Sequence, residues 1–255
     1  MNTETMPTGS RPDVGTGTGI EVDDLDFEPE GDFLPEDIGP PPDIVVFDVG
    51  EVLIDETRVW GIWADILGVS RFTFAAVLGA AISQGLDHHA VFPVVAPNSD
   101  WMPFEEEHER RYGGFTEQDL YPDVRLCLEE LRSMGVKIVI AGNQPRRRRE
   151  QLLLLDLPCD HLATSDDLGA EKPELAFWDA VMQLSGANSP EQVMYVGDRV
   201  DNDILPAAEY GMRTCWLRRG PWGRLQELPK GFEADLELDG LGELPLLLAG
   251  WRAQE

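Results

Sequence analysis

Five short apolar runs, set between stretches of helical spacing, constrain this chain more than any other feature. They cover residues 44–49, 136–141 (VKIVIA), 193–196 (VMYV) and 213–217 (RTCWL), with a weaker one at 161–164. A short continuous apolar run that ends at Gly or at polar residues is the pattern of a strand buried on both faces. Between the runs, the spacing predicts amphipathic helices at 122–134, stopped by Gly135, and at 147–155, 174–184 and 202–210, the last closed by Gly211. Buried strands alternating with helices predict an α/β fold, a parallel sheet with helices on both faces.

Such a sheet binds ligands beyond the carboxyl ends of its strands, so polar residues belong directly after each run. Asp48 stands at the end of the first, Gly142-Asn143-Gln144 follows the second, and GDRVDND (197–203) closes the third. A further segment, GAEKP (169–173), precedes the 174–184 helix, with Pro173 suited to its first turn. Each is a common loop feature alone; in this order and spacing they mark one site.

In these motifs the chain resembles the haloacid dehalogenase-like (HAD) hydrolase superfamily over about residues 44–223. The resemblance is strongest in GAEKPELAFWDA (169–180) and VMYVGDRVDNDILPAAEYGM (193–212). It implies a Rossmann-like sheet with an Asp nucleophile after the first strand, matched by Asp48, and a steadying Lys, matched by Lys172. It also implies Mg²⁺, held with the help of Asp198 and Asp203 and of the backbone carbonyl of Gly50. The roughly 65 residues of 57–121 are longer than an ordinary connection, and the resemblance implies a small helical cap there, between core segments 43–56 and 122–255.

The same positions make chemical sense without the family. Negative oxygens around a phosphate ester repel an attacking carboxylate, so a cation must neutralise both. Mg²⁺ on Asp48, Asp198 and a few waters meets that need, since it takes hard oxygen ligands. Attack by Asp48 gives an aspartyl phosphate, which water then hydrolyses. Lys172 adds a compact charge near the transferring group. Backbone N–H groups of Val49, Asn143 and Gln144 suit the same oxygens, and Gly142 lets that loop come close. Asp201 reads as a helix N-cap or a solvated loop residue.

The chain departs from the family pattern at two positions. Gly142 stands where Ser or Thr is usual, and Gly50 where most of the phosphatases carry a second Asp, which protonates the leaving oxygen and then activates water. A group of that kind contributes about 10²–10⁴-fold. Three readings accommodate Gly50. One is a phosphatase whose leaving group needs little protonation, or in which Glu51, Glu56 or a cap residue serves as the acid. Another is carbon–halogen hydrolysis of the haloacid dehalogenase type, against which the full GDRVDND motif speaks. The third is a catalytically impaired binding or scaffold protein that docks through its amino-terminal tail.

That tail, residues 1–42, holds 11 acids against the single base Arg11, with 7 Pro and 6 Gly, a mixture that predicts disorder. Within it Leu25, Phe27, Phe33, Leu34 and Ile38 sit among acids, as a solubilising segment or as a docking peptide for a protein partner. The whole chain carries a formal charge of −28, which disfavours nucleic acid and anionic lipid and requires local positive groups or a metal for an anionic substrate. Cys127, Cys159 and Cys215 form no CxxC pair and predict buried thiols in a reducing, cytoplasmic setting.

Other features leave alternatives open. Trp60, Trp63 and Leu67 share one face of a helix over 57–69, as cap core or as a substrate platform. His88, His89 and the acidic run 105–110 are candidates for proton transfer or substrate selection, or else solvated. Arg146 and Arg147 face an anionic group or pair with acids, and Arg218 or Arg219 approaches the site or a partner. The apolar 224–255 segment packs back as a final helix or supports a homodimer in place of a monomer.

Overall fold

The computed structural model describes residues 39–253 of the chain. The expectations for residues 1–38, including Leu25, Phe27, Phe33, Leu34 and Ile38, lie outside the described residues.

The apolar runs become the strands β1 (Ile44–Phe47), β2 (Lys137–Gly142), β3 (His161–Thr164), β4 (Val193–Gly197) and β5 (Arg213–Leu217), joined by a sixth, β6 (Leu236–Leu238). All pairings are parallel, in the order β3-β2-β1-β4-β5-β6. The order reverses at β1, and there the two crossovers diverge and leave a crevice beyond the strand ends. Register aligns the crevice walls: Phe47 lies opposite Ile140 of β2 and Val196 of β4. Asp48 and Val49 therefore emerge beside Ala141-Gly142 and Gly197-Asp198.

The helices α1 (Thr57–Ile66), α2 (Arg71–Ser83), α3 (Val91–Val95) and α4 (Glu105–Tyr112) all lie between β1 and β2, followed by α5 (Val124–Ser133). Next, α6 (Arg146–Leu154) links β2 to β3, while α7 (Ser165–Leu168) and α8 (Leu175–Ser185) link β3 to β4. Finally α9 (Leu205–Tyr210), α10 (Gly220–Leu225) and α11 (Leu244–Arg252) complete the chain.

Each face of the sheet has its own core. Val45 and Phe47 pack with Leu128 and Leu131 of α5 and with Leu244, Leu248 and Trp251 of α11. Ile44 and Val46 pack on the other side with Phe177, Trp178 and Val181 of α8. Each fully buried side chain of this size stabilises by about 1.5–3 kcal/mol. The 224–255 segment thus folds back as a final helix. Residues 39–42, read from composition as part of the tail, are held on that helix: Trp251 Nε1 donates to Gly39 O at 2.7 Å and Arg252 Nη2 to Pro42 O at 3.3 Å. Within α5, Val124, Cys127, Leu128 and Leu131 form the buried face, while Leu126 is 59% exposed.

A third cluster joins Trp63, Phe74, Leu78, Ile82, Val91 and Phe92 of α1 to α3 with Trp222 of α10. Here the aromatic residues of the insert are largely core. The chain enters and leaves the insert through two antiparallel stretches, with Asp55 N donating to Asp119 O at 2.7 Å and Tyr121 N to Leu53 O at 3.1 Å. Arg58 spans the same junction with a paired contact to Asp119 at 2.8 and 2.5 Å. Bidentate pairing of this kind fixes geometry as well as adding energy. Among the described residues, no single helix is long and apolar enough to cross a membrane.

Candidate active site

The three carboxylates and the lysine singled out in the sequence meet in space. Asp48 is 8% exposed, Asp198 2%, Asp203 0% and Lys172 3%, so four ionisable groups share one buried spot. Lys172 Nζ lies 2.8 Å from Asp48 Oδ1 and 2.6 Å from Asp203 Oδ1. Burial pulls the Lys172 ammonium down, yet the carboxylates of Asp203 and Asp48 outweigh it and hold the group well above its ordinary range. Lys172 stays charged.

Two braces aim these groups. The Asn143 side chain accepts from Lys172 N at 2.7 Å and donates to Lys172 O at 2.9 Å, tying the loop after β2 to the one before α8. Asp203 lies in a wide helical turn, Val200–Ile204, in which Ile204 N reaches back to Arg199 O at 3.1 Å. The sequence predicts a regular helix from 202, but Pro206 in the first turn of α9 has no N–H to continue the pattern backward. The turn buries Asp203 and lets Arg199 N donate to its second oxygen at 3.0 Å.

Asp198 is different. Its Oδ2 is buried without a hydrogen-bond partner among the described residues. Burial, then the neighbouring Asp203 and Asp48, push its carboxyl well above the usual range, while burial, with Asp48 beside it, takes Asp203 up to about 6 against the pull of Lys172. One oxygen each from Asp48, Asp198 and Asp203 lie within 4.8 Å of one another. A buried carboxylate oxygen with no partner costs about 1–3 kcal/mol or more, and a hard divalent cation removes that cost. The oxygen-only donor set suits Mg²⁺.

Gly142 shows why no larger residue stands there: a Cβ would be 2.2 Å from Asp48 Oδ1. The loop comes so close to the carboxylate that a side chain there would displace it. Among the described residues the N–H groups of Val49, Asn143 and Gln144 donate to no protein acceptor, which leaves them for an anion.

These groups form one wall of a cavity of about 790 Å³, which Gly50, Glu56, Asn143 and Gln144 also line. Facing them are Trp60, Trp63, His88, His89, Phe92 and Trp101 from the insert, with Trp222 from α10. Burial, then His89, pulls the His88 imidazole down to about 4, so it is neutral near pH 7. His108 stacks on Trp63 with centroids 4.5 Å apart and its Nε2 lies 3.0 Å from Val59 O, an interior packing role.

The cationic candidates separate by partner. Arg147 and Arg148 both grip Glu109 of α4, at 2.9 and 2.5 Å, which links α6 to the insert. Arg146 pairs with Asp166 and Asp167. Arg218 pairs with Asp239 at 3.2 Å, and Arg219 holds Val52 O and Asp123 and stacks on Tyr121. Asp201 lies outside the cluster, paired with Arg199 at 2.8 Å and with Gln226. Sequence reasoning did not find the pairing of Glu109, the Asn143 brace or the place of Trp222, since nothing local signals partners 29 to 159 residues away.

Known proteins bear on this geometry. The chain is 36% identical over 110 residues to a glyceraldehyde 3-phosphate phosphatase of Methanocaldococcus jannaschii, covering 42% of this chain and 48% of that one. It is 26% identical over 172 residues to a phosphoserine phosphatase of Thermus thermophilus, covering 62% and 68%. The chain spans about half the length of the first of the curated relatives it matches. A solved HAD phosphatase from Thermococcus onnurineus superposes with a TM-score of 0.53 at 27% identity, over 82% of this chain and 99% of that one. The family description of the haloacid dehalogenase-like hydrolases matches residues 42–211, and the chain belongs to that family.

Proposed function

We propose that this protein is a Mg²⁺-dependent phosphatase of a small phosphorylated metabolite that works through an aspartyl phosphate on Asp48. The observation that carries this is Asp48 at the end of β1, held 2.8 Å from Lys172 Nζ beside an Asp198 oxygen that has no partner. Three carboxylates against one ammonium repel a phosphate, so added positive charge is required. Asp48, Asp198 and the carbonyl of Gly50 would hold Mg²⁺, with Asp203 behind them, and the ion would supply neutralisation of the phosphoryl oxygens. Phosphatase names among the matched relatives support the substrate class.

The remaining work falls to the chain itself. Lys172 holds Asp48 in place, 2.8 Å from its Oδ1, and its charge stabilises the transferring group. The N–H groups of Val49, Asn143 and Gln144 bind and orient its oxygens. Asp48 attacks phosphorus, the bond to the leaving oxygen breaks, and water then cleaves the aspartyl phosphate. Residues 57–121 serve as a cap over the core of 43–56 and 122–255, excluding water and contacting the rest of the substrate with Trp60, His88 and Trp101. The unpaired thiols accord with a cytoplasmic setting.

The test is a panel of phosphorylated metabolites and 2-haloacids, assayed with Mg²⁺ and with a chelator. Expected are phosphate release that the chelator abolishes and an Asp48→Asn variant that folds but is inactive. Chelator-resistant halide release would favour a dehalogenase, and no turnover of any substrate would favour a binding protein.

A further inference from the structure

We propose that Glu56, in the turn that leads into α1, is the proton donor and acceptor of this site, its carboxyl filling the space that a side chain at residue 50 would occupy. The inference rests on the phosphatase reading above and identifies the group that this reading lacks.

Gly50 is not required by its backbone, which does not lie in the left-handed region. What a side chain there would meet is Glu56: a Cβ at residue 50 would stand 2.6 Å from Glu56 Oε1 and 3.2 Å from its Cδ. A carboxyl therefore occupies the place beside the nucleophile, reached from a residue six positions along the chain. The chain turns back over Gly50 because Leu53 N and Ile54 N both donate to Val49 O, at 3.0 and 2.9 Å. Trp60 Nε1, one helical turn on, donates to Glu56 Oε2 at 3.2 Å and fixes that end of the carboxyl. Among the described residues Oε1 has no donor. Glu56 is half-buried, ringed by protein yet open to the cavity that Asp48 and Gly50 line.

Four other candidates are committed elsewhere. Both oxygens of Glu51 are engaged, by Tyr121 Oη at 2.6 Å and by Glu56 N at 3.0 Å, and its side chain packs on Gly220. His108 is tied to Val59 O, and His89 Nδ1 lies 2.6 Å from Asp87 Oδ1. Asp203 is held by Lys172 and Arg199 N.

The chemistry balances. As a carboxylate oxygen of Asp48 bonds to phosphorus, the bond from phosphorus to the ester oxygen breaks and its electron pair stays on that oxygen. The oxygen takes the proton of Glu56 and departs as the alcohol, leaving Glu56 a carboxylate. Glu56 then takes a proton from water as the water oxygen bonds to phosphorus. The bond to Asp48 breaks, its pair returns to the Asp48 carboxylate, and inorganic phosphate leaves with Glu56 again protonated.

The test compares Glu56→Gln with wild type on alkyl phosphates, whose leaving oxygen needs a proton, and on 4-nitrophenyl phosphate, whose leaving oxygen does not. Expected is a kcat loss of about 10²–10⁴-fold on the alkyl esters and a much smaller loss of aspartyl-phosphate formation on the nitrophenyl ester, read as the burst of nitrophenol. Adding Gly50→Asp to Glu56→Ala, which vacates the space, restores alkyl-ester turnover. An equal loss on both esters, or none, in a folded variant overturns the proposal and leaves the phosphatase reading standing. If wild type with Mg²⁺ releases phosphate from neither ester class nor any metabolite, both fall.

Discussion

Replacing Lys172 by Met tests the charge balance of the site directly. The ammonium is 2.8 Å from Asp48 Oδ1 and 2.6 Å from Asp203 Oδ1. At an effective dielectric constant of about 20, each contact is worth roughly 6 kcal/mol of attraction. Burying the ions offsets much of that, and measured losses for removing one partner of a buried pair are about 3–5 kcal/mol. Methionine has similar length and no charge, so packing is kept while Asp48, Asp198 and Asp203 face one another unneutralised. At pH 8, without metal, the melting temperature should fall by roughly 10 °C. The deficit should shrink at pH 5.5. Without Lys172 the carboxyls of Asp198 and Asp203, already raised by burial, bind protons more tightly in the folded chain than in the unfolded one, so lowering the pH stabilises the folded state selectively. Scanning calorimetry in a chelator at the two pH values measures this. A variant as stable as wild type at pH 8, or a deficit that is equal at both, would refute the ionic account of the cluster.

Three further outcomes follow from the same geometry. The metal-free wild type should melt at a higher temperature at pH 6 than at pH 8, because burial raises Asp198, Asp203 to about 6 and Glu56 to about 8, and groups with raised folded values lose stability as pH climbs through them. Mg²⁺ should flatten that slope, and Glu56→Gln should reduce it in the chelator, both readable by calorimetry. Gly142→Ala puts a methyl 2.2 Å from Asp48 Oδ1, so the carboxylate must leave Lys172, and kcat should drop roughly 10²-fold while the circular dichroism spectrum stays unchanged. Glu109→Ala frees Arg147 and the buried Arg148 and should cost about 2 kcal/mol, or roughly 4–8 °C in melting temperature.

Strands β1, β2, β4 and β5 were legible in the chain because burial on both faces demands an unbroken apolar run, which no other surface of an α/β protein needs. Asp48, Gly142 to Gln144, Lys172 and Asp198 were legible for a related reason: a parallel sheet presents its carboxyl ends on one edge, so residues that follow different strands must converge. Strand β6 was not legible, since only Leu236 and Leu238 are buried and exposed Glu237 divides them. Helix α2 was equally silent, being apolar all round; packing alone selects Phe74, Leu78, Ala81 and Ile82 as its buried face.

Local patterns record how each segment is buried, and so they yielded the sheet, the order of the motifs and the strand ends on which the charged groups stand. They carry no record of which side chains from distant segments touch. That Asn143 braces Lys172, that Glu109 holds two arginines of α6, and that the Glu56 carboxyl lies in the space left by Gly50 all depend on the closed chain. Gly50 alone reads as a missing acid, and in the folded molecule that place is filled by a carboxyl brought there by the turn at Val49–Ile54.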